Sequence, residues 1–296
     1  HLIEKMNARE DKYIISQIVS YHEGPERIKA EIAKYDSVIV GDIPAHERNY
    51  IIKYCFGQNI RTYSVPKISD ILLRSSVELN LFDSPLLLSR NNQGLQIEQE
   101  IMKRIIDIVG SLIGIVITIP IFLIVGICIK MTDGGPVIYQ QTRLTKNGKK
   151  FQIYKFRTMV QNAEADGKAR LASEGDPRIL PIGRVLRATR LDELPQIYNI
   201  LKGDMSIVGP RPERPELAAE LEKEIPEFSF RLQVKAGLTG YAQVYGKYNT
   251  TPYDKLKLDL TYIRNYSVLE DLKLIIMTPK IMLMKESTEG VKEEQK

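Results

Sequence analysis

Between Arg190 and Arg211 the chain reads Arg-Leu-Asp-Glu-Leu-Pro-Gln, then Gly-Asp-Met-Ser, then Gly-Pro-Arg. This sets two adjacent carboxylates, Asp192 and Glu193, beside the most arginine-rich part of the protein. Adjacent acids are common on solvated helices, so the pair gains its weight from its neighbours. From Gln141 to Arg190 twelve basic residues stand against four acidic ones. Such a bias favours an anionic partner: substrate phosphates, a membrane surface or nucleic acid. The three histidines, at positions 1, 22 and 46, all fall in the first fifty residues. Catalysis in the second half therefore excludes a histidine base, a Ser-His-Asp triad and a histidine-bound zinc. Carboxylates and cations must do the work. A nucleophilic carboxylate, a neighbouring carboxylate for Mg2+ and several arginines suit phosphoryl transfer, because aspartate can form an acyl phosphate while metal and guanidinium neutralise developing charge. Arginine's planar fork matches phosphate oxygens, which singles out Arg157, Arg184, Arg187 and Arg211.

The elements that must position these groups follow from periodicity. A helix is predicted from Glu193 to Lys202, stopping at Gly203, with Asp192 as its N-cap. By itself that is an ordinary cap. The same place, at the positive end of the helix dipole and among arginines, would keep the carboxylate ionised at neutral pH. Pro195 has no N–H to offer, which would leave Asp192 freer to react; capture of both its oxygens by backbone amides would contradict this. Ile182, Val185, Leu186 and Thr189 fall at helical spacing and place Arg184, Arg187 and Arg190 on the other side. A hairpin is predicted with strands near 137–141 and 151–156 around Lys146-Asn-Gly148. From Tyr253 to Met284 bulky apolar residues alternate with lysines, as in a helix lying on a membrane surface or packed in a core.

Residues 105–129 are nearly all apolar, long enough at about 1.5 Å per residue to cross a hydrocarbon layer of about 30 Å. Hydropathy alone favours an ordinary transmembrane helix. Two features oppose it. Pro120 lies near the middle and removes a backbone hydrogen bond. Lys103-Arg104 and Lys130 flank both ends, so neither orientation is favoured. A bent helix that dips in and returns to the same face satisfies both. Asp107 is expected to stay at the interface or to pair with Arg104 or another cation.

The first hundred residues alternate: helix 24–35, strand 37–41, helix 45–56, strand 60–65. That is a βαβ unit and predicts a small parallel-sheet domain. The turn Gly41-Asp-Ile-Pro44 lacks a glycine-rich phosphate loop, so a structural or regulatory role is favoured over dinucleotide binding. Residues 89–100 are polar and turn-rich and read as a linker. The two cysteines, Cys55 and Cys128, lie far apart without metal-ligand spacing, which favours a reducing, cytoplasmic setting. The chain begins with His1 rather than methionine and is expected to be a piece of a longer protein.

Eight segments then occur in one order: Gly135-Pro-Val-Ile-Tyr-Gln-Gln141, Tyr154-Lys-Phe-Arg-Thr-Met159, Asp176-Pro-Arg178, Gly183-Arg184, Leu191-Asp-Glu-Leu-Pro-Gln196, Lys202-Gly-Asp-Met-Ser206, Val208-Gly-Pro-Arg-Pro212 and Gly237-Leu-Thr-Gly240. Together they resemble the bacterial sugar transferases, the monotopic polyprenyl-phosphate phosphoglycosyl transferases. The likeness covers roughly residues 101–286, with Ala236 departing from the proline usual before Gly-Leu-Thr-Gly. Residues 1–97 resemble the Rossmann-like domain upstream in longer members, and residues 98–296 would be the catalytic domain. The implied fold class is α/β: a small Rossmann-like domain, then a mainly α domain with a re-entrant membrane helix at about 103–130, broken at Pro120, and a short β-hairpin.

The resemblance implies a two-step reaction. Asp192 would attack the phosphate bearing the sugar of a UDP-sugar and release UMP. A polyprenyl phosphate, typically undecaprenyl phosphate, would then accept the sugar phosphate. Glu193 would hold Mg2+, and Lys155, Arg157, Arg184, Arg187 and Arg211 would bind substrate. The expected setting is the cytoplasmic face of the inner membrane, in contact with lipid, at the initiating step of exopolysaccharide, capsule or O-antigen-type synthesis. Nucleic acid is not expected as a partner, because the basic residues lack interleaved aromatic platforms. An ordinary glycosyltransferase releasing UDP and a membrane-anchored interaction protein are the alternatives. The sugar, the oligomeric state (a homo-oligomer among the options) and the role of the first hundred residues stay open.

Overall fold

The computed structural model describes residues 2–7, 14–74, 76–81, 84–89, 95–161, 163, 176–246 and 250–282. These divide into two compact units, residues 1–70 and 71–296. In the first, helices α1 (Leu2–Asn7) and α2 (Pro25–Ile32) precede strand β1 (Ser37–Val40), helix α3 (Ala45–Gly57) and strand β2 (Arg61–Ser64). The strands run parallel, Ser37 opposite Arg61 and Val40 opposite Ser64. Parallel neighbours need a crossover, which α3 supplies. The apolar residues that predicted these elements build their core: Ile28, Ile32, Val40, Ile51 and Cys55. Among the described residues the sheet holds two strands, a single βαβ unit rather than the paired units of a dinucleotide-binding fold.

Helix α4 (Ile68–Arg74) leads to a hairpin of β3 (Val77–Leu81) and β4 (Ser84–Leu88) and then to α5, Ile97–Asp133, which absorbs the last residues of the predicted linker. Positions 90–94 of that linker lie outside the described residues. Helix α5 runs on through Pro120, 37 residues in all, instead of breaking there as expected, about 55 Å at 1.5 Å per residue. Its polarity is inverted. Lys103, Asp107, Ser111 and Thr118 are buried, whereas Val116, Ile117, Leu123 and Ile124 are 63–70% exposed. A helix in water places its charges outward; an outward apolar face suits hydrocarbon.

The inward stripe grips the rest of the second unit along its whole length. Arg104 donates to the carbonyls of Ile200 and Leu201 at 2.7 and 2.6 Å. Asp107 does not pair with Arg104, as the sequence led us to expect; it accepts the Ser206 hydroxyl and the Ile207 N–H at 2.9 and 2.8 Å. Lys103 meets Asp271 at 2.6 Å and the Tyr262 hydroxyl at 2.9 Å. Farther along, the Phe122 ring packs on Phe156 with centroids 4.9 Å apart, and Asp133 at the far end pairs with Arg157.

After α5 come β5 (Ile138–Leu144) and β6 (Lys150–Phe156), the predicted hairpin with longer strands, then α6 (Pro181–Ala188), a tight 3-10 turn at Leu191–Glu193, and α7 (Gln196–Lys202). Strand β7 (Ser206–Val208), helix α8 (Pro215–Glu224), strand β8 (Gly237–Thr239) and helix α9 (Tyr241–Val244) follow, with β7 and β8 parallel. The region from Tyr253 holds two helices rather than one, α10 (Pro252–Arg264) and α11 (Val268–Met282), because Asn265 leaves the helical region; positions 283–284 lie outside the described residues. One core cluster joins Phe151, Ile153, Ile200, Met205 and Ala236. A second joins Val125, Ile129, Phe156 and Leu186.

Candidate active site

The dyad sits on the tight turn between α6 and α7. Arg190 opens the turn in the left-handed region, at φ 58° and ψ 13°, where a residue with a Cβ costs about 1–2 kcal/mol. That reversal points both acids inward: Asp192 is 9% and Glu193 8% exposed. The sequence placed Asp192 as the N-cap of a helix starting at Glu193. Instead the helix starts at Gln196 with Pro195 as its cap, and no side chain caps it. Proline tolerates that place because the missing N–H has no helical partner there. The N–H groups of Glu193 and Leu194 go to the carbonyls of Arg190 and Leu191. Among the described residues no hydrogen bond reaches the Asp192 carboxylate, so backbone amides do not tie it up. Gly203 ends α7 at φ 97°, as predicted, a conformation that glycine adopts without strain.

The two carboxylates have opposite surroundings. Lys155 Nζ lies 2.8 Å and the Arg211 guanidinium 2.7 Å from Glu193 Oε1, and Arg211 also reaches Oε2 at 3.5 Å. Burial pushes the Glu193 carboxyl up, but Arg211 and Lys155 prevail and hold it well below the usual range. Asp192 goes the other way. Burial raises it, helped by the charge on Glu193, against the pull of Lys155, Arg187 and Arg211. The dipole-and-arginine environment expected to favour the anion is thus outweighed by desolvation. Burial also lowers the Lys155 ammonium, against the pull of Glu193.

The predicted cations separate into three groups. Lys155 and Arg211 converge on Glu193. Arg187 is half-buried at the edge, where its charge acts on both Asp192 and Asp176. Arg157 is committed elsewhere: both its terminal nitrogens meet Asp133, Nε donates to the Pro136 carbonyl at 2.6 Å, and the Asp133 carboxyl is pushed down to about 2 by the pair. Arg184 is exposed on α6. So is Val185, at 56%, although the helical pattern grouped it with the inward residues; Gly183 and Leu186 form the buried face.

Several residues that build the site carried no chemical signal in the sequence. Asn199, fully buried, accepts the Tyr154 N–H at 2.9 Å and donates to the Gln152 carbonyl at 2.7 Å. It thereby locks the helix after the dyad to the strand carrying Lys155. An asparagine among apolar residues inside a short helix was the available hint. Arg231 donates to the Arg211 carbonyl at 3.0 Å and pairs with Asp259 at 2.7 Å, bracing the loop behind Arg211.

Residues 98–285 match the bacterial sugar transferase family. An Aeromonas hydrophila UDP-N-acetylgalactosamine-undecaprenyl-phosphate N-acetylgalactosaminephosphotransferase is 35% identical over 259 residues, 84% of this chain and 59% of that protein. A Salmonella typhimurium undecaprenyl-phosphate galactose phosphotransferase is 36% identical over 239 residues, 75% of this chain and 49% of that protein. A Caulobacter vibrioides UDP-glucose:undecaprenyl-phosphate glucose-1-phosphate transferase is 37% identical over 189 residues, 62% and 70% of the two chains. The chain spans about half the length of the first two. Since the family match takes in the whole of α5 after its first residue, the dyad and both cations on Glu193, the chain belongs to the bacterial sugar transferase family.

Proposed function

We propose that this chain transfers a sugar 1-phosphate from a UDP-sugar to undecaprenyl phosphate, releasing UMP through a covalent intermediate on Asp192. One observation carries the reading: a buried carboxylate without a hydrogen bond among the described residues lies next to a buried carboxylate held by two cations. Asp192 Oδ attacks the phosphorus bearing the sugar, and the bond from that phosphorus to the bridging oxygen breaks, expelling UMP. A phosphate oxygen of the lipid then attacks the same phosphorus and frees Asp192. Desolvation that raises its proton affinity also makes an anionic oxygen more nucleophilic. Lys155 and Arg211, held on Glu193 beside Asp192, would be the cations that neutralise charge on the phosphate oxygens in both steps.

Mg2+ belongs to the same proposal. Lys155 and Arg211 both meet Glu193 Oε1 and Oε2 has only the long 3.5 Å contact from Arg211, so Oε2 and the Asp192 oxygens would be the donors. No three acids, histidines or cysteines converge among the described residues, which fits a cation held by one or two carboxylates plus substrate phosphates. When bound, the ion would neutralise diphosphate charge. Both ends of α5 are fastened to one compact unit, at Arg104–Asp107 and at Asp133. That supports a helix held against one face at both ends rather than crossing to a second; α5 runs on through Pro120, and the Thr118 hydroxyl bonds back to the Gly114 carbonyl at 2.7 Å. The setting would be the cytoplasmic face of the inner membrane, at the first step of a surface glycan, with residues 1–97 regulatory or structural.

Incubation with a panel of UDP-sugars and undecaprenyl phosphate tests this, with the released nucleotide identified. UMP, together with a sugar phosphate found on the protein by intact mass when lipid is omitted, is expected. Release of UDP instead would assign the chain to ordinary glycosyl transfer. The panel also identifies the sugar, which differs among the three relatives.

A further inference from the structure

Strand β7 has a strand partner on one side. Its Ser206 N–H donates to the Ala236 carbonyl, and the following Gly209 N–H to the Thr239 carbonyl, both at 2.8 Å. Within the strand Ser206 and Val208 face β8, so the N–H of Ile207 between them faces away from it. It faces α5, where an apolar side chain would leave it unbonded. Asp107 Oδ1 accepts it at 2.8 Å and the Ser206 hydroxyl at 2.9 Å. Asp107 is 3% and Ser206 0% exposed. Gly110, one turn farther along α5, lies against Ile207: a Cβ there would stand 2.6 Å from Cδ1, the movable end of the Ile207 side chain.

From Ile207 the chain reaches Arg211 with little slack. Gly209 and Gly237 back onto each other so tightly that a Cβ on Gly237 would lie 2.0 Å from the Gly209 nitrogen. The Gly237 N–H holds the Pro210 carbonyl at 2.8 Å, and Arg231 holds that of Arg211 at 3.0 Å. We propose that Asp107 is a positioning residue for the transfer reaction. By holding β7 it sets where Arg211 stands against Glu193, so one contact couples the apolar helix to the active site. The proposal rests on the role given above to the Asp192–Glu193 pair. Two donors converge on one oxygen, so the acceptor matters more than the charge: asparagine presents the same oxygen, and leucine none.

The test uses the full chain in lipid nanodiscs. Asp107→Leu is expected to lower kcat for UMP release roughly 10- to 100-fold by displacing Arg211. Asp107→Asn is expected to stay within about threefold of wild type. Adding Asp107→Leu to Arg211→Ala should cost nothing beyond Arg211→Ala alone, because both act through one guanidinium. Amide exchange across 206–211, read by mass spectrometry, should quicken in Asp107→Leu and stay unchanged in Asp107→Asn. An Asn variant as slow as the Leu variant, wild-type rates in the Leu variant, or losses that multiply in the double variant would overturn the proposal. If Asp107→Leu does not fold, Ser206→Ala replaces it in the same cycle with the same expectation of non-additivity. If the wild type releases no UMP, the proposed reaction fails; exchange across 206–211 then still decides whether Asp107 holds the strand.

Discussion

Two of the buried charge clusters in the second unit differ in one respect. Around Lys103, every charged atom has a partner: Nζ meets Asp271 Oδ2 at 2.6 Å and the Tyr262 oxygen at 2.9 Å, and Tyr262 donates to Asp271 Oδ1 at 2.7 Å. Around Glu193, Lys155 and Arg211 crowd onto one carboxylate while Asp192 beside it has no hydrogen bond among the described residues. Buried charge is tolerated when it is paired and bonded. The Lys103 cluster meets that condition and fastens α5 to α10 and α11. The dyad meets it for Glu193 alone, and the unmet half is the atom assigned to attack phosphorus.

Asp192→Asn cuts deepest into this contrast. It keeps the shape of the side chain and removes the proposed nucleophile, so UMP release and the sugar phosphate found on the protein should fall by about 10⁴-fold or more, as for other covalent nucleophiles. Stability should move the opposite way. A carboxyl whose folded pKa is raised withdraws stability as pH rises through that value. Removing the charge should therefore raise the Tm at pH 7. An inactive variant with a lower Tm would break the comparison, because Asp192 would then be a satisfied structural acid like Asp271.

Asp271→Asn should behave in reverse. Lys103 and Asp271 are 7% and 2% exposed, and removing one member of such a pair costs about 3–5 kcal/mol. The Tm should fall by several degrees, while UMP release per folded molecule holds. Replacing both partners, Lys103→Met with Asp271→Leu, should recover most of that loss in thermal melts. Glu193→Gln stands between the clusters. It strands Lys155 and Arg211 without their carboxylate, but the Arg211 side chain is 42% exposed. Solvent then screens part of the loss, leaving about 2–3 kcal/mol. The stability that Glu193 contributes is present above its unfolded pKa near 4.5 and is lost as pH falls below it. Wild type and Glu193→Gln should therefore converge in stability in acid.

A smaller effect reads the coupling inside the dyad. Burial lifts Asp192 above its ordinary 3.8 and Lys155 opposes that rise. The acid limb of the kcat/KM profile should lie above pH 3.8 in the wild type and move higher in Lys155→Met. A limb moved lower would mean that Lys155 does not face the Asp192 anion.

Much of this contrast could be read from residue order, and the unread part has a physical reason. The βαβ unit, the hairpin and the stop at Gly203 follow from periodicity and turn chemistry, which are local. The candidates Asp192 and Glu193 rest on composition instead, because no histidine is within reach in sequence and basic residues surround the pair. What failed was cap geometry. Arg190 adopts a left-handed conformation that arginine does not advertise, which moves the helix start to Gln196. Partner choice was equally hidden. Arg157 and Arg211 look alike as members of an arginine-rich set, yet Arg157 closes the end of α5 on Asp133 and Arg211 faces Glu193. Asp107 has a cation one turn away in Arg104 but bonds a strand a hundred residues on. Such pairings depend on tertiary distance, which spacing does not encode.

The arginines of α6 give the finest test of the comparison. Arg187 is half-buried and its charge acts on Asp192, whereas Arg184, one turn back, is exposed and makes no ion pair among the described residues. If the dyad is defined by the charges that reach Asp192, Arg184→Ala should change kcat/KM by less than about threefold, as for an ordinary surface charge. Arg187→Ala removes a cation that lowers Asp192, so it should shift the acid limb upward. Parallel pH profiles of the two variants with one UDP-sugar make the measurement. A large rise in KM for Arg184→Ala alone would instead place the nucleotide's phosphates over the exposed face of α6. The cationic boundary of the site would then extend one helical turn beyond the groups that touch the dyad.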